Sequence, residues 1–166
     1  MKTLVLGILL LGLSSLGYAQ RLDVERVMLE DVKVSTLNSD YLHAIQDDKT
    51  PLNLIGVQRL IASYDINDAS FYDPENDRYE VYFKTENGNS TVYYDGKGKI
   101  LKSHEYYKDV KVPIEIWKQI YKDNEGWSMI KNKYSSTYSD SELRNRKYKV
   151  FLSDGVETKK VVLNIN

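Results

Sequence analysis

The stretch that decides the fold is residues 79–101, YEVYFKTENGNSTVYYDGKGKIL. Its first run, residues 79–83, alternates between the two faces of a strand, with apolar side chains on one face. Asn87-Gly88 separates this run from the next and predicts a tight hairpin with positive φ angles. Residues 95–98, DGKG, then turn the chain into a third run over residues 99–107. The stretch therefore predicts an antiparallel β-meander.

One helix is expected before this meander and another after it. The first begins at Thr50-Pro51, where threonine is a good N-cap and the next position needs no N–H donor. The second begins at Val112-Pro113 and ends near Gly126, which suits a left-handed C-terminal cap. Their apolar residues recur at helical spacing: Leu54, Val57, Ile61 and Tyr64 in the first helix, and Ile116, Trp117, Ile120 and Tyr121 in the second.

The pattern of the first half returns after the second helix. Residues 148–152, YKVFL, match residues 79–83, YEVYF, and Gly155 matches Gly88 in the turn that follows. This indicates two tandem α-β-β-β units. Neither unit has enough apolar surface to fold alone, so both helices should cover one continuous sheet. The predicted fold class is α+β, with the two units, residues 50–107 and 108–166, forming one antiparallel sheet that has both helices packed on one face.

The beginning of the chain predicts export. Residues 1–19 combine an early lysine, an unbroken apolar run over residues 4–13, and small residues at Gly17 and Ala19. The apolar run is too short for a comfortable membrane span. We therefore expect a cleaved signal peptide, no membrane span after cleavage, and a periplasmic or secreted protein. An uncleaved N-terminal anchor is the alternative.

Two further segments lack a clear helix or strand period. Residues 20–49 predict an N-terminal arm that adds an edge strand to the sheet or wraps the domain. Within the arm, residues 27–29 and 32–34 predict short strands, and residues 38–40 and 46–48 predict turns. The other segment, residues 139–146, predicts a polar loop between strands.

Cysteine content and charge limit the classes of function. The chain has no cysteine, which excludes disulfides, thiol catalysis and cysteine-based metal sites, and for an exported protein favours a bacterial source. Residues 20–96 carry 7 Lys and Arg against 15 Asp and Glu, whereas residues 97–166 carry 15 against 9. The resulting charges, −8 and +6, are either incidental or a dipole that orients a charged partner. No signature of nucleic-acid binding accompanies the basic half.

Five features of the sequence together form a recognisable pattern. They are the helix after proline, the Tyr-x-Val-x-Phe strand, the Asn-Gly turn, the stretch YDGKGKIL over residues 94–101, and the second proline-led helix, which ends at Gly126-Trp127. It resembles the PepSY-like, β-lactamase-inhibitor-like proteins, which are small exported proteins of Bacteroidetes-type bacteria. The resemblance runs from residue 50 to the C-terminus and is carried mostly by fold-determining residues. It implies an inhibitor-like binding module without known chemistry, and it does not imply that this chain inhibits a β-lactamase.

Motifs that would carry catalysis or bind a cofactor do not occur. His43 and His104 lie in no metal-binding motif, and no serine lies in a nucleophile-elbow motif. Residues 65–76 begin like a calcium loop but lack its glycine at position six and its glutamate at position twelve. Residues 96–98 are followed by a strand rather than by the helix of a phosphate-binding loop. We therefore expect no enzyme activity and no cofactor.

The candidate site is a surface rich in tyrosine. Tyr82, Tyr93 and Phe151 lie on the strand face opposite the core, and Asn87 lies at a hairpin tip. Tyrosine offers a large contact area at low entropic cost, which suits recognition of an unknown protein partner in the cell envelope or outside the cell. Alternatively, these rings only stabilise an exposed sheet face through cross-strand pairs. A periplasmic small-ligand or metal-binding protein that uses the acidic first unit is the alternative function.

Overall fold

The computed structural model describes residues 36–165. Three α-helices lie within this range: Ser39–Ile45 (α1), Ile55–Ser63 (α2) and Ile114–Lys122 (α3). Short 3-10 helices cover Thr36–Asn38 and Ile66–Asp68. The strands are Arg78–Thr85 (β1), Gly88–Asp95 (β2), Ile100–Lys108 (β3), Ser128–Ser139 (β4), Glu142–Ser153 (β5) and Thr158–Ile165 (β6).

The six strands form one sheet in which their order along the chain is their order in space. Every neighbouring pair is antiparallel. The helices pack on one face of the sheet, so the predicted α+β class, with one antiparallel sheet covered on one face, is confirmed. The alternation of buried and partly buried residues along β2, β4 and β5 follows from this cover, because successive side chains of a strand point to opposite faces.

The core between helices and sheet contains two clusters of buried side chains. One cluster consists mainly of side chains from the first half of the chain, such as Tyr94, Ile61 and Tyr41, and it also includes Tyr138 from β4. The other cluster consists mainly of side chains from the second half, such as Ile116, Ile120 and Val150, and it also includes Leu54 from the segment before α2. Val57 on α2 packs against both clusters. The two halves therefore share core side chains across β3 and β4.

The first predicted helix begins later than its proline suggests. α2 starts at Ile55 with Leu54 as its N-cap residue, and no side chain caps it. The Thr50 hydroxyl is buried and used elsewhere: it accepts from the backbone N–H of Asp47 at 3.0 Å and donates to the carbonyl of Ile45 at 3.0 Å. Thr50 thus closes the connection between α1 and α2 rather than capping α2.

The arm contains a helix where residues 38–40 predict a turn. Asn38 lies at the start of α1, and its buried side chain donates to the carbonyls of Ala62 and Gly98 and accepts from the N–H of Ile100 at 2.8 Å. These long-range contacts decide the local structure, and they are invisible to a local pattern. The predicted turn at residues 46–48 does occur after α1. The predicted signal peptide, residues 1–19, and the strands predicted at residues 27–29 and 32–34 lie outside the described residues.

The predicted polar loop over residues 139–146 is wrong. β4 continues to Ser139 and β5 begins at Glu142, so only Asp140 and Ser141 form the turn, both with positive φ. Two consecutive left-handed residues match the twist of a two-residue hairpin. The polar residues after this turn belong to a strand, and Arg146 is buried on its core face.

The hairpin at Asn87-Gly88 forms, but for a different reason from the one predicted. Glu86 and Asn87 are its loop residues, Gly88 pairs with Thr85, and neither Asn87 nor Gly88 has a positive φ. Glycine is needed at position 88 because a Cβ there would lie 2.2 Å from the carbonyl oxygen of Tyr106 on β3. At the end of α3, Gly126 does adopt a positive φ, although in a turn after the helix and not directly at its cap.

Trp117 is not a core residue, contrary to the prediction from its helical spacing. It is half-buried on α3, and its ring stacks on that of Tyr121 with the centroids 4.8 Å apart. Ile114, one turn earlier, is 65% exposed. The buried side of α3 consists of Ile116 and Ile120, which are both fully buried.

Candidate binding surface

The sheet face that α1, α2 and α3 do not cover is here called the open face. Its positions are the even residues 78–84 on β1, the odd residues 89–93 on β2, the even residues 102–108 on β3, the odd residues 131–139 on β4, the odd residues 145–151 on β5 and the even residues 160–164 on β6. No described helix packs against this face. Because all six strands contribute to it, the open face is a candidate surface for contact with a partner.

Three of the four predicted site residues lie on the open face. Tyr82 on β1 is 58% exposed and pairs with Thr91, whereas Tyr93 on β2 is half-buried and pairs with Glu80. Partial burial raises the pKa of the Tyr93 hydroxyl, and the charge of Glu80 raises it further. These side chains form a polar and aromatic area at the β1–β2 end of the face.

The structure does not bring all four predicted residues together. Phe151 lies on β5, four strands from Tyr82, which corresponds to roughly 19 Å at the usual strand spacing. Asn87 lies at the β1–β2 turn, and its backbone carbonyl accepts a hydrogen bond from the N–H of Lys108 at 2.8 Å. A partner that touches Tyr82 and Phe151 at once must therefore span most of the sheet.

The other half of the open face carries a group of lysines that the sequence patterns did not single out. We call it the lysine patch: Lys108 on β3, Lys131 and Lys133 on β4, Lys147 and Lys149 on β5, and Lys160 on β6, together with the rings of Tyr106 and Phe151. The alternation Lys-x-Lys at residues 131–133 and 147–149 was a visible signal. Which face those lysines share, and that they are neighbours, depended on the strand register.

The register places like charges directly opposite one another. Lys133 pairs with Lys108 on one side and with Lys149 on the other. Lys147 lies one position along the same face, opposite Ser135. None of these lysines forms a salt bridge with a carboxylate of the described residues. Because opposite like charges destabilise a sheet, the folded protein keeps this arrangement at a cost.

Two depressions interrupt the open face. A depression of about 90 Å³ lies inside the lysine patch, and its lining includes Tyr106, Lys133, Ser135, Lys147 and Lys149. A larger one of about 650 Å³ lies near the end of the sheet, where the register shifts between Tyr93 and Tyr94. Its lining contains Arg78, Lys99, Lys102 and Asp140, and Lys99 pairs with Asp40 at 3.4 Å. The smaller depression, whose charged lining residues are all lysines, favours anionic over cationic groups.

A buried polar network supports the sheet from the opposite face. The carboxylate of Glu105 on β3 accepts hydrogen bonds from Tyr41 on α1 (3.3 Å), Gln58 on α2 (3.0 Å) and Ser136 on β4 (2.8 Å). Burial raises the pKa of Glu105, although these hydrogen bonds and the charge of Arg146 act in the opposite direction. All three donors point at a side chain that is only 3% exposed, so this network fastens the helices rather than meeting a substrate.

Arg146 on β5 extends this network to the connection between α1 and α2. Its guanidinium donates to the carboxylate of Asp47 at 2.5 Å and to the carbonyl of Ile45 at 2.6 Å. Partial burial would raise the pKa of Asp47, but the hydrogen bond and charge of Arg146 lower it overall. These contacts hold β3, β4 and β5 against α1, α2 and the connection between them. They therefore also fix the strands that carry the lysine patch.

Neither histidine has the surroundings of a catalytic base or metal ligand. His104 lies on the open face, where its Nδ1 is 3.2 Å from the Thr137 hydroxyl. Burial and the charge of Lys102 lower its pKa. His43 is exposed on α1. Within residues 36–165, no group of three or more His, Cys, Asp or Glu side chains is placed to hold a metal ion.

The segment that begins like a calcium loop forms a capped 3-10 turn. The Asp65 carboxylate accepts from the N–H of Asn67 at 2.9 Å and caps the 3-10 helix Ile66–Asp68. Asp73 caps a second turn by accepting from the N–H of Glu75 at 3.0 Å. Both carboxylates are thus engaged by the backbone.

Comparison with protein-family models, with curated proteins and with solved structures finds no match to this chain. In the part of the chain that the structure describes, no helix is both long and apolar enough to cross a membrane.

Proposed function

We propose that this protein is an exported, non-enzymatic binding module that holds a partner protein against its open sheet face and hairpin tips. The observation that carries the proposal is the open face itself. It is a six-strand surface, it is uncovered by the described helices, and it has an aromatic area at one end and a lysine patch at the other. The helix layer and the buried Glu105–Arg146 network brace it from behind, which suits recognition by a preformed surface.

Two features of the sequence support the same function. The predicted signal peptide would take the protein to the periplasm or out of the cell, where the partner would be found. The resemblance to PepSY-like, β-lactamase-inhibitor-like proteins implies a binding role rather than catalysis. The residues described carry no oriented nucleophile, base and oxyanion donor that would favour an enzyme.

Capture of partners from a periplasmic extract tests the proposal. The purified protein is immobilised beside the variant Tyr82→Ala/Phe151→Ala, which removes one ring from each end of the open face. We expect the variant to lose the specific partner, because exposed aromatic side chains dominate many interfaces. Leu52→Ala/Leu60→Ala is the matched control, since Leu52 and Leu60 are exposed but lie outside the sheet.

The outcome that rejects the face assignment is a specific partner that binds both variants equally. Circular dichroism of each variant before capture shows whether the fold is kept. If the control pair loses the partner and the open-face pair does not, the helix side is the binding surface instead.

Thermal unfolding with calcium and with EDTA separates this proposal from the alternative of a metal-binding acidic segment. A metal that binds the native state must raise the melting temperature. We expect no shift with either addition, because residues 36–165 contain no group of three or more His, Cys, Asp or Glu side chains placed to hold a metal ion. A clear rise with calcium that EDTA reverses would favour the metal-binding alternative.

A further inference from the structure

We infer that the lysine patch is the docking site for an extended acidic segment of the partner protein, rich in aspartate or glutamate. This inference rests on the proposed function and names the chemistry of its partner. Lys108, Lys133 and Lys149 would face the partner's carboxylates, and Tyr106 and Phe151 would contact its apolar side chains.

The positions of the lysines on central strands support this inference. Lysine is depleted in strands, and opposite lysines repel each other. Proteins often place lysine on edge strands to prevent aggregation, but β4 and β5 are interior strands of this sheet. Protection of an edge therefore does not explain Lys133 and Lys149, whereas binding of a negatively charged partner does.

The absence of local acids points in the same direction. Apart from Glu142 beside the β4–β5 turn, the open-face positions of β3 to β6 in the described chain carry no carboxylate. Glu142 itself pairs with Arg144 at 2.7 Å. The positive charges of the patch are thus left for an external anion, which they would attract and orient on approach.

The spacing of the charges fits an extended chain. Lys131 and Lys133, like Lys147 and Lys149, are two residues apart on one strand, which corresponds to about 7 Å. Side chains at alternate positions of an extended peptide have the same spacing. A strand-like segment with acidic residues at alternate positions could therefore lie along β4 and β5 and meet two lysines on each. The depression of about 90 Å³ beside Lys133 and Lys147 would accept one carboxylate.

The shape and composition of the face favour a protein over a membrane surface. Antiparallel strands are rotated by roughly 20–25° from one to the next, so a flat bilayer touches only a few neighbouring strands of a six-strand sheet. The β1–β2 end of the same face presents the carboxylate of Glu80 together with Arg78, Lys84 and the rings of Tyr82 and Tyr93. A protein partner can match a curved surface that is cationic at one end and carries both charges and aromatic rings at the other. A membrane surface, which is a uniform anionic plane, cannot.

Binding to a defined acidic probe tests the inference. Poly-L-glutamate of about 20 residues is titrated against the purified protein, followed by fluorescence anisotropy at about 20 mM and about 200 mM salt. We expect saturable binding that weakens at least about tenfold at the higher salt, because exposed charges are screened. Lys133→Glu/Lys149→Glu should weaken binding at low salt at least about tenfold, since it reverses two central charges.

Lys97→Glu/Lys122→Glu is the matched control. It changes the net charge by the same amount at two exposed lysines, one in the β2–β3 turn and one on α3, away from the patch. We expect it to change the affinity less than about twofold. Equal losses in the two double variants would overturn the inference, because net charge alone would then explain the binding. Failure of the wild-type protein to bind poly-L-glutamate would also overturn it.

Two further probes separate classes of anion. Vesicles rich in phosphatidylglycerol represent a membrane, and dextran sulfate represents an anionic polysaccharide. Binding to either that is as tight as binding to poly-L-glutamate would overturn the assignment to a protein segment. If a captured partner is lost by Tyr82→Ala/Phe151→Ala but kept by Lys133→Glu/Lys149→Glu, this inference fails while the proposed function stands.

Discussion

Glu105 shows how one residue joins two layers of the fold. Its carboxylate is the shared acceptor for donors from α1, α2 and β4, so it fixes both helices against the centre of the sheet. The groups that face it are Tyr41, Tyr107 and Tyr134, whose pKa values are raised mainly by burial, and Arg146, whose charge lowers the pKa of Glu105. The three tyrosines do not lose a proton near neutral pH, so Glu105 itself should govern the local pH dependence.

The raised pKa of Glu105 predicts a loss of stability with rising pH. A carboxyl group with a raised folded-state pKa contributes stability that is full below its unfolded-state pKa, about 4.3, and is lost as the pH rises through the folded-state pKa. The free energy of unfolding of the wild-type protein should therefore fall as the pH rises above about 4.3, as measured by urea denaturation.

Glu105→Gln is the variant that isolates this effect. Its amide oxygen can still accept from Tyr41 and Gln58, and its amide nitrogen can donate to the Ser136 hydroxyl, but it does not ionise. We expect its free energy of unfolding to depend less on pH than that of the wild-type protein. Equal pH dependence in both proteins would assign the effect to a group other than Glu105. His104 is not a candidate, because its lowered pKa makes stability rise with pH.

Two glycines, Gly56 in α2 and Gly88 in β2, differ in the space that surrounds them. Gly56 lies in the first turn of α2, and a Cβ there would meet nothing within 4 Å. Gly88 begins β2, and a Cβ there would collide with the backbone of Tyr106 on the next strand. The same substitution should therefore have opposite effects in the helix and in the strand.

Gly56→Ala should raise the free energy of unfolding by about 0.5–1 kcal/mol, because alanine loses less backbone entropy in a helix. Gly88→Ala should lower it by about 1–3 kcal/mol, because β2 and β3 must move apart to admit the methyl group. Chemical denaturation of both variants measures the two changes. A loss of stability in Gly56→Ala would mean that its added methyl group meets a neighbour, and an unchanged or raised stability in Gly88→Ala would mean that β2 and β3 admit the methyl group.

At the scale of the whole molecule, the two halves should unfold together. β3 and β4, which come from different halves, are paired from Lys102–Ser139 to Lys108–Lys133, and each core cluster includes a residue from the other half. A single cooperative unit follows from this continuity, since neither half can bury its apolar residues without the other.

Ile120→Ala tests the shared core. It removes a fully buried side chain of α3 and should lower the free energy of unfolding by about 2–5 kcal/mol. Trp117→Ala should cost less, since Trp117 is half-buried and mainly stacks on Tyr121. Hydrogen exchange in Ile120→Ala should accelerate in the β1–β2 hairpin, residues 78–95, as well as around α3. Wild-type protection in that hairpin would show that the halves are independent domains.

Local patterns in the sequence were sufficient for the regular parts of this fold. Three kinds of pattern depend on neighbouring residues only: the alternation in residues 79–83 and 148–152, the turn at residues 95–98, and the helical spacing around Ile61 and Ile120. Side-chain direction repeats every two residues in a strand and every 3.6 in a helix, so these patterns predict the elements and the buried strand faces. That is why the α+β sheet with helices on one face, and the outward positions of Tyr82, Tyr93 and Phe151, could be predicted. On α3 the same spacing assigned the half-buried Trp117 to the core as well.

Contacts between distant residues decided the rest. Asn38 starts a helix because its side chain bonds to residues 24 to 62 positions away, and Gly88 is required by a strand that follows it. Arg146 is buried because Asp47 and Ile45 lie above it, although it stands among polar residues in the sequence. The lysine patch likewise exists only through the pairing of β3, β4, β5 and β6. Register is set by the packing of the whole sheet, so the sequence alone showed the lysines but not that they are neighbours.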